Sequence, residues 1–236
     1  MAVKFGIVVF PGTWSDIDWH HAIRGPLAED ADYIFHKQDS LKGIDCVVLP
    51  GGFSYGDYLR PGAIASKSPV MQAVARFAAE GGPVIGSCNG FQVLCETGLL
   101  PGALLRNRRM QFRCHQQYLR VERAAAPFTS GSAEGSVLSI PVSHGDGNYV
   151  ADARTLEELE ATGRIAFRYC DAEGNVTDAA NPNGSLANIA GITNAAGNVL
   201  GMMPHPERVV EPALGGTDGL IILRSIVESL RERAHV

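Results

Sequence analysis

The chain has 236 residues, 45% of them hydrophobic and 19% charged, the balance of an ordinary globular protein with a sizeable core. Its net charge of -5 argues against nucleic acid as the main partner, because phosphate binding needs a cationic footprint. Five cysteines with no C-x-x-C spacing suggest neither a disulfide framework nor a zinc ribbon, and no apolar stretch approaches a bilayer's thickness.

Residues 3–10 read as a continuous apolar strand, ended by Pro11-Gly12. The run from Met1 enters this strand rather than a signal-peptide core, so a reducing cytoplasm is the expected home. A helix is predicted over 16–29, capped by Ser15 or Asp16. Short strands follow at 33–36 and 44–49, the second holding Cys46 as a small core residue and ending at Pro50-Gly51-Gly52. Ser68-Pro69 starts a helix in the N-cap/N1 arrangement, with Val70, Val74, Phe77 and Ala78 on one face. Gly81-Gly82 stops it, and 83–87 is the next buried strand. Unbroken apolar strands alternating with helices predict a parallel sheet covered on both faces.

From 99 to about 142 the pattern changes, and alternating runs at 110–114 and 118–122 suggest antiparallel strands. Arg106, Arg108, Arg109, Arg113, Arg120 and Arg123 crowd this stretch, opposed only by Glu122. They read either as a solvated strand face or as a docking surface for an acidic partner or phosphorylated ligand. Further strands are expected at 165–169, 189–194 and 199–203, and a final amphipathic helix from 218 to about 232. The whole, 1–236, reads as one α/β domain. Its expected architecture is a mostly parallel open sheet with helices on both faces and an antiparallel insertion around 100–142.

The most informative segment is Pro83-Val-Ile-Gly-Ser-Cys88-Asn-Gly-Phe-Gln92. An apolar strand passes into a helix through Gly86-x-Cys88-x-Gly90, the thiol version of the G-x-S-x-G elbow. Such a turn lifts Cys88 above the carboxyl end of the sheet, where open α/β folds bind ligands. A free thiol is only a few per cent thiolate at pH 7; the helix N-terminus and a nearby imidazolium both favour the ionised form. The backbone N–H of Asn89 points to where an oxyanion would form. Cys95, further along the same helix, reads as core.

Met203-Pro204-His205-Pro206-Glu207-Arg208 supplies a candidate base. Residues before proline are pushed into extended backbone, and extended residues i and i+2 share a face. Glu207 is therefore expected to reach the second ring nitrogen of His205 and stabilise its cation, as in hydrolytic triads. Leu49-Pro50-Gly51-Gly52 follows a buried strand, and Gly52 is the expected second oxyanion donor, an effect of roughly 3 kcal/mol in acyl-transfer sites.

Taken together, these segments resemble the class I (triad) glutamine amidotransferases. The resemblance rests on Pro50-Gly-Gly-Phe-Ser-Tyr-Gly-Asp-Tyr-Leu-Arg60, Cys88-Asn-Gly-Phe-Gln92, Thr97-Gly-Leu-Leu-Pro-Gly-Ala-Leu104, Ser143-His-Gly-Asp-Gly147, Asn181-Pro-Asn-Gly-Ser185 and Asn198-Val-Leu-Gly-Met-Met-Pro-His-Pro-Glu-Arg208. Within that class the match is closest to small glutaminase subunits serving the fourth step of purine biosynthesis. It implies a Cys88–His205–Glu207 triad, oxyanion amides at Gly52 and Asn89, and glutamine held by Gln92, Ser143, Gly145 and Asp146. It also implies no cofactor or metal on this chain. A larger ATP-dependent synthetase subunit, using ATP and Mg, would take the ammonia to amidate formylglycinamide ribonucleotide, and a very small third subunit would complete the complex.

There are departures. The family usually opens with Pro-Gly-Ser-Asn-Cys-Asp, where this chain has Pro11-Gly12-Thr13-Trp14-Ser15-Asp16, and a Cys-Gly pair common after Tyr-Leu-Arg is Pro61-Gly62. Neither is expected to touch the triad. Three other readings stay open at this point. One is a stand-alone cysteine hydrolase, although such relatives often place the histidine beside the nucleophile, where Asn89 stands. The others are a catalytically silent scaffold and a sister amidotransferase with another acceptor.

Overall fold

In the computed structural model, which describes residues 2–234, the apolar runs of the first half become parallel strands. Strand β1 (Lys4–Val9) pairs with β2 (Asp30–Phe35) on one side and β3 (Cys46–Leu49) on the other. Next to β3 come β4 (Val84–Ser87) and then β11 (Val199–Met202), all parallel. The sheet continues in antiparallel sense through β10 (Ile189–Thr193), β9 (Ile165–Cys170), β6 (Arg113–Val121) and β7 (Val137–His144), giving nine strands. A separate ribbon pairs β5 (Ala103–Leu105) with β8 (Asn148–Val150).

Helices cover both faces, as the apolar strands require. Alternate residues of a strand point to opposite faces, so Phe5 and Ile7 enter one core and Val8 the other. On the first face α1 (Asp16–Arg24) and α5 (Asp218–Arg233) bury Trp19, Ile23, Ile222 and Ile226. On the second, α2 (Pro69–Ala79), α3 (Asn89–Glu96) and α4 (Ala153–Ala161) bury Val70, Val74, Phe91, Leu94 and Leu159. Each such side chain stabilises the fold by about 1.5–3 kcal/mol. Among the described residues no helix is long and apolar enough to cross a membrane.

Some boundaries differ from the expected ones for identifiable reasons. The first helix ends at Arg24 rather than near 29, because Gly25-Pro26 cannot continue it. Ser15 stands at its N-cap position but does not cap it; the hydroxyl instead accepts from Gly51 N at 2.8 Å. The strands expected at 110–114 and 118–122 are one strand, β6, preceded by a tight turn in which Met110 N donates to Asn107 O at 2.8 Å. The antiparallel segment expected around 100–142 is present and extends the main sheet, since β6 pairs with β9 and β7 forms the edge.

This topology sets the place of the site. Strands β3, β4 and β11 are neighbours, so the loops leaving their carboxyl ends converge at Gly51, Cys88 and His205. Four successive antiparallel pairings return β7 to the direction of β11. Its carboxyl end, at His144, therefore opens on the same edge of the sheet.

Candidate active site

Strand β4 delivers Cys88 with φ 50° and ψ −107°, and α3 begins at the next residue. A residue with a Cβ is strained there, and such strain persists only where surrounding packing imposes it. The packing is visible at the flanking glycines. A Cβ on Gly86 would lie 2.7 Å from the Gly90 carbonyl carbon, and one on Gly90 would lie 1.9 Å from Leu49 O. Only bare backbone lets α3 sit this close to β3 and β4. Cys88 N donates to Met202 O at 2.8 Å, and Sγ donates to Ser143 O at 3.5 Å.

His205 Nδ1 and Glu207 Oε1 are 2.6 Å apart and both side chains are buried. The contact is the one expected, but the backbone reaches it differently. Pro206–Arg208 is a 3-10 turn, not an extended segment, and it curls Glu207 back under the imidazole. His205 N donates to Pro141 O at 2.8 Å, tying the base to β7. Glu207 Oε1 also accepts from Ser87 Oγ at 3.4 Å, and that hydroxyl accepts from Trp19 Nε1 at 3.0 Å. Burial alone would lower the His205 pKa. The Glu207 carboxylate and the charge on Cys88 outweigh it and raise the imidazole to about 10.

The other ring nitrogen, Nε2, is buried without a hydrogen-bond partner among the described residues, and His205 and Cys88 line the same cavity. Their proximity is fixed by Gly51. A Cβ at that position would lie 2.6 Å from His205 Cε1 and 3.3 Å from Cys88 Cβ. Glycine is needed there because the imidazole occupies the space.

The cavity has a volume of about 110 Å³ and also takes in Gly52, Gln92, Ser143, Gly145 and Asp146. Every site residue named from the sequence except Asn89 and Glu207 thus lines it. Those two stand directly behind, as the first residue of α3 and the partner of His205. Gly52 forms an isolated bridge with Thr13 in which Trp14 N donates to Gly51 O and Phe53 N to Gly12 O. The Gly52 N–H takes no part in that pairing. Gln92 is engaged on both sides: Oε1 accepts from Asn89 Nδ2 at 2.8 Å and Nε2 donates to Asp146 O at 2.7 Å. It ties the elbow to the 143–147 loop.

Sequence reasoning missed several neighbours. Asp57 lines the cavity with one carboxylate oxygen buried and unpartnered among the described residues. Burial first, and the charge of Asp146 second, raise its pKa to about 6. Arg208 lines the cavity too, and Trp14, Phe53 and Phe112 form an exposed aromatic rim. The departure at 13–15 lies closer to the chemistry than expected, since Trp14 N and Ser15 N both donate to Gly51 O. Asp57 stands inside Pro50–Arg60 as the one acid of that segment. Cys46 is buried as expected, Cys95 is partly buried against the core rather than within it, and desolvation pushes both thiols up. All five cysteines are free.

A strained thiol facing a buried His–Glu pair, at the carboxyl edge of a parallel sheet, has the geometry of thiol-dependent acyl transfer. Residues 2–215 match the model of the CobB/CobQ-like glutamine amidotransferase domain, and the chain belongs to that family. It is 58% identical over 226 residues to phosphoribosylformylglycinamidine synthase subunit PurQ of Moorella thermoacetica, covering 96% of each chain. The protein of that name from Salinibacter ruber is 55% identical over 227 residues, covering 96% of this chain and 97% of that one. The structure of PurLQS from Thermotoga maritima aligns with a TM-score of 0.86 at 40% identity, over 98% of this chain and 100% of that one. At 16% identity and a TM-score of 0.58, a glutamine amidotransferase from the same organism shares the fold, over 99% of this chain and 98% of that one.

Proposed function

We propose that this chain is the glutaminase subunit of a phosphoribosylformylglycinamidine synthase. It hydrolyses glutamine to glutamate and ammonia. The ammonia goes to a large ATP-dependent synthetase subunit, which converts formylglycinamide ribonucleotide to formylglycinamidine ribonucleotide in purine biosynthesis. A very small third subunit completes the complex. ATP and Mg belong to the synthetase; this chain uses no cofactor and works in the cytoplasm.

Cys88 Sγ attacks the side-chain amide carbon of glutamine, and the carbonyl oxygen becomes an oxyanion received by the N–H groups of Gly52 and Asn89. His205, held cationic by Glu207, gives its proton to the departing amine, so ammonia leaves and a glutamyl thioester remains. Neutral His205 then takes a proton from water, the hydroxide adds to the thioester, and the C–S bond breaks to release glutamate and restore the thiolate–imidazolium pair. Gln92 fixes the elbow to the 143–147 loop, and Ser143, Gly145 and Asp146 hold the amino-acid end of the substrate. Asp57 joins Asp146 in facing the α-ammonium, which explains two carboxylates in so small a cavity.

The observation that carries this reading is the meeting of Cys88 with a Glu207-bound His205 in one cavity. A stand-alone hydrolase would lack the second subunit's chemistry, and the test separates the two. In the assembled complex, Cys88→Ala is expected to abolish glutamine-dependent amidation while synthesis from added ammonium continues. Retained use of glutamine, or loss of both reactions, would overturn the division of labour.

A further inference from the structure

The arginine-rich stretch that the sequence left open divides in two in space. Arg120 pairs with Glu122 at 2.6 Å and belongs to a network on the sheet with Arg168, beside which Arg123 donates to Thr162 O at 3.3 Å, while Arg106 sits 3.8 Å from Asp146. Arg108, Arg109 and Arg113 make no ion pair among the described residues. With His115 these three line a concave cavity of about 320 Å³, walled in part by the loop carrying Asn183, where Pro182 O accepts from Arg113 Nε at 3.2 Å. Asp178 is the one carboxylate among the lining residues, so three guanidinium groups against it leave a surplus of positive charge in a chain whose net charge is -5.

The wall of this cavity is bonded directly to the glutamine loop. Arg108 N donates to Asn183 O at 2.8 Å, and Asn183 Nδ2 donates to Gly147 O at 2.8 Å and meets His144 Nε2 at 2.9 Å. Asn107, next to Arg108, donates from its backbone to Gly145 O at 2.9 Å and from its side chain to His144 O at 2.9 Å; it accepts from Gly147 N at 3.0 Å. Two buried asparagines thus couple the arginine cavity to residues 144–147. A shift in the Arg108 turn or the Asn183 loop moves the floor on which glutamine rests.

We infer that the Arg108–Arg109–Arg113 cavity is a binding site for a phosphate-bearing small molecule, and that its occupancy sets the glutamine loop. Guanidinium forks bind phosphate oxygens bidentately, and three lining one cavity match a polyphosphate rather than a single carboxylate. A concave site within the size range of ligand pockets favours a small molecule over an acidic protein surface, which would meet a flatter face. The coupling rests on the glutaminase reading above, but the binding does not.

Calorimetric titration of the purified chain at low salt, with inorganic pyrophosphate and with ADP as probes, tests the site. The wild type is expected to bind one equivalent, and Arg109→Gln and Arg109→Glu each to weaken the affinity at least tenfold. In parallel, the rate at which a glutamine-analogue electrophile labels Cys88 is measured with and without the probe. It is expected to change severalfold in the wild type and not at all in the variants, whose unchanged rate without probe reports that they are folded. No saturable binding to the wild type, or equal binding to the variants, overturns the site. Binding with no change in labelling overturns the coupling. Variants that assemble poorly with the synthetase while no probe binds the wild type would assign the arginines to an acidic partner surface instead. Failure of Cys88 to label under any condition would sink the glutaminase reading and leave the calorimetry to judge the site.

Discussion

The two halves of the sheet contribute differently to one site. In the parallel half the strands are short and apolar, and strand ends set the chemistry in place: Gly52, Cys88 and His205 each leave the end of a neighbouring strand, and the Glu207 carboxylate orients the imidazole. In the antiparallel half β7 alternates buried and half-buried residues, and the part that reaches the cavity is the 143–147 loop, held by side chains of Asn107 and Asn183. In the proposed function, bond-making falls to the first half and substrate fit to the loop that this side-chain network holds. Changes in the first half should therefore remove turnover, and changes in the second should retune it.

The largest effect is expected at the triad. Cys88→Ala or His205→Asn should lower glutamine hydrolysis by about 10⁴-fold, and Glu207→Gln by about 10²–10⁴-fold, in steady-state assays of ammonia release. A Glu207→Gln enzyme with full activity would remove the carboxylate from the mechanism. Gly51→Ala comes next. Its methyl group claims the space of the imidazole, and a displacement near 1 Å should reduce kcat by about 10²-fold, with the overpacking costing about 1–3 kcal/mol of stability.

In the substrate-binding part of the cavity the expected response changes in kind. Asp57→Asn should raise KM for glutamine about tenfold with kcat nearly constant, and should narrow the preference for glutamine over an analogue lacking the α-amino group. An unchanged preference would take Asp57 out of substrate recognition.

The smallest effect concerns stability. Burial first, then His205 and His115, lower the His144 pKa to about 3. In the unfolded chain an imidazole takes its proton near pH 6.5, so acid favours unfolding while the folded His144 stays neutral. Between pH 7.5 and 5.5 this group should remove about 1.4 kcal/mol of stability. Urea titrations should show a shallower pH dependence in His144→Gln than in the wild type.

The parallel half was legible because its signals are local. An unbroken apolar run ended by Gly-Gly or Gly-x-Cys-x-Gly announces both the strand and the turn that closes it, which is why Cys88 and Gly52 were found without coordinates. The Glu207 contact was found through an extended backbone that the structure replaces with a 3-10 turn, because both conformations bring i and i+2 together. The other half depends on distant partners. Met110 and Phe112 alternate with polar residues as a strand would, yet both are exposed ahead of β6, so periodicity there carried no burial. Nothing near Ser15 in the chain announces that its hydroxyl serves Gly51, or that Asp57 will face Asp146. The arginines read as one group in sequence and separate into a paired set and an unpaired set only once β6 is folded against its neighbours.

The backbone of Cys88, with its positive φ, gives the molecule an unequal pair of dead enzymes. Alanine at this position would silence the protein and keep the contorted turn; glycine would silence it and let the turn relax, raising stability by about 1 kcal/mol over the alanine form. The wild-type chain therefore sits below the thermal tolerance its own scaffold permits, and the shortfall is located at the one sulfur it needs.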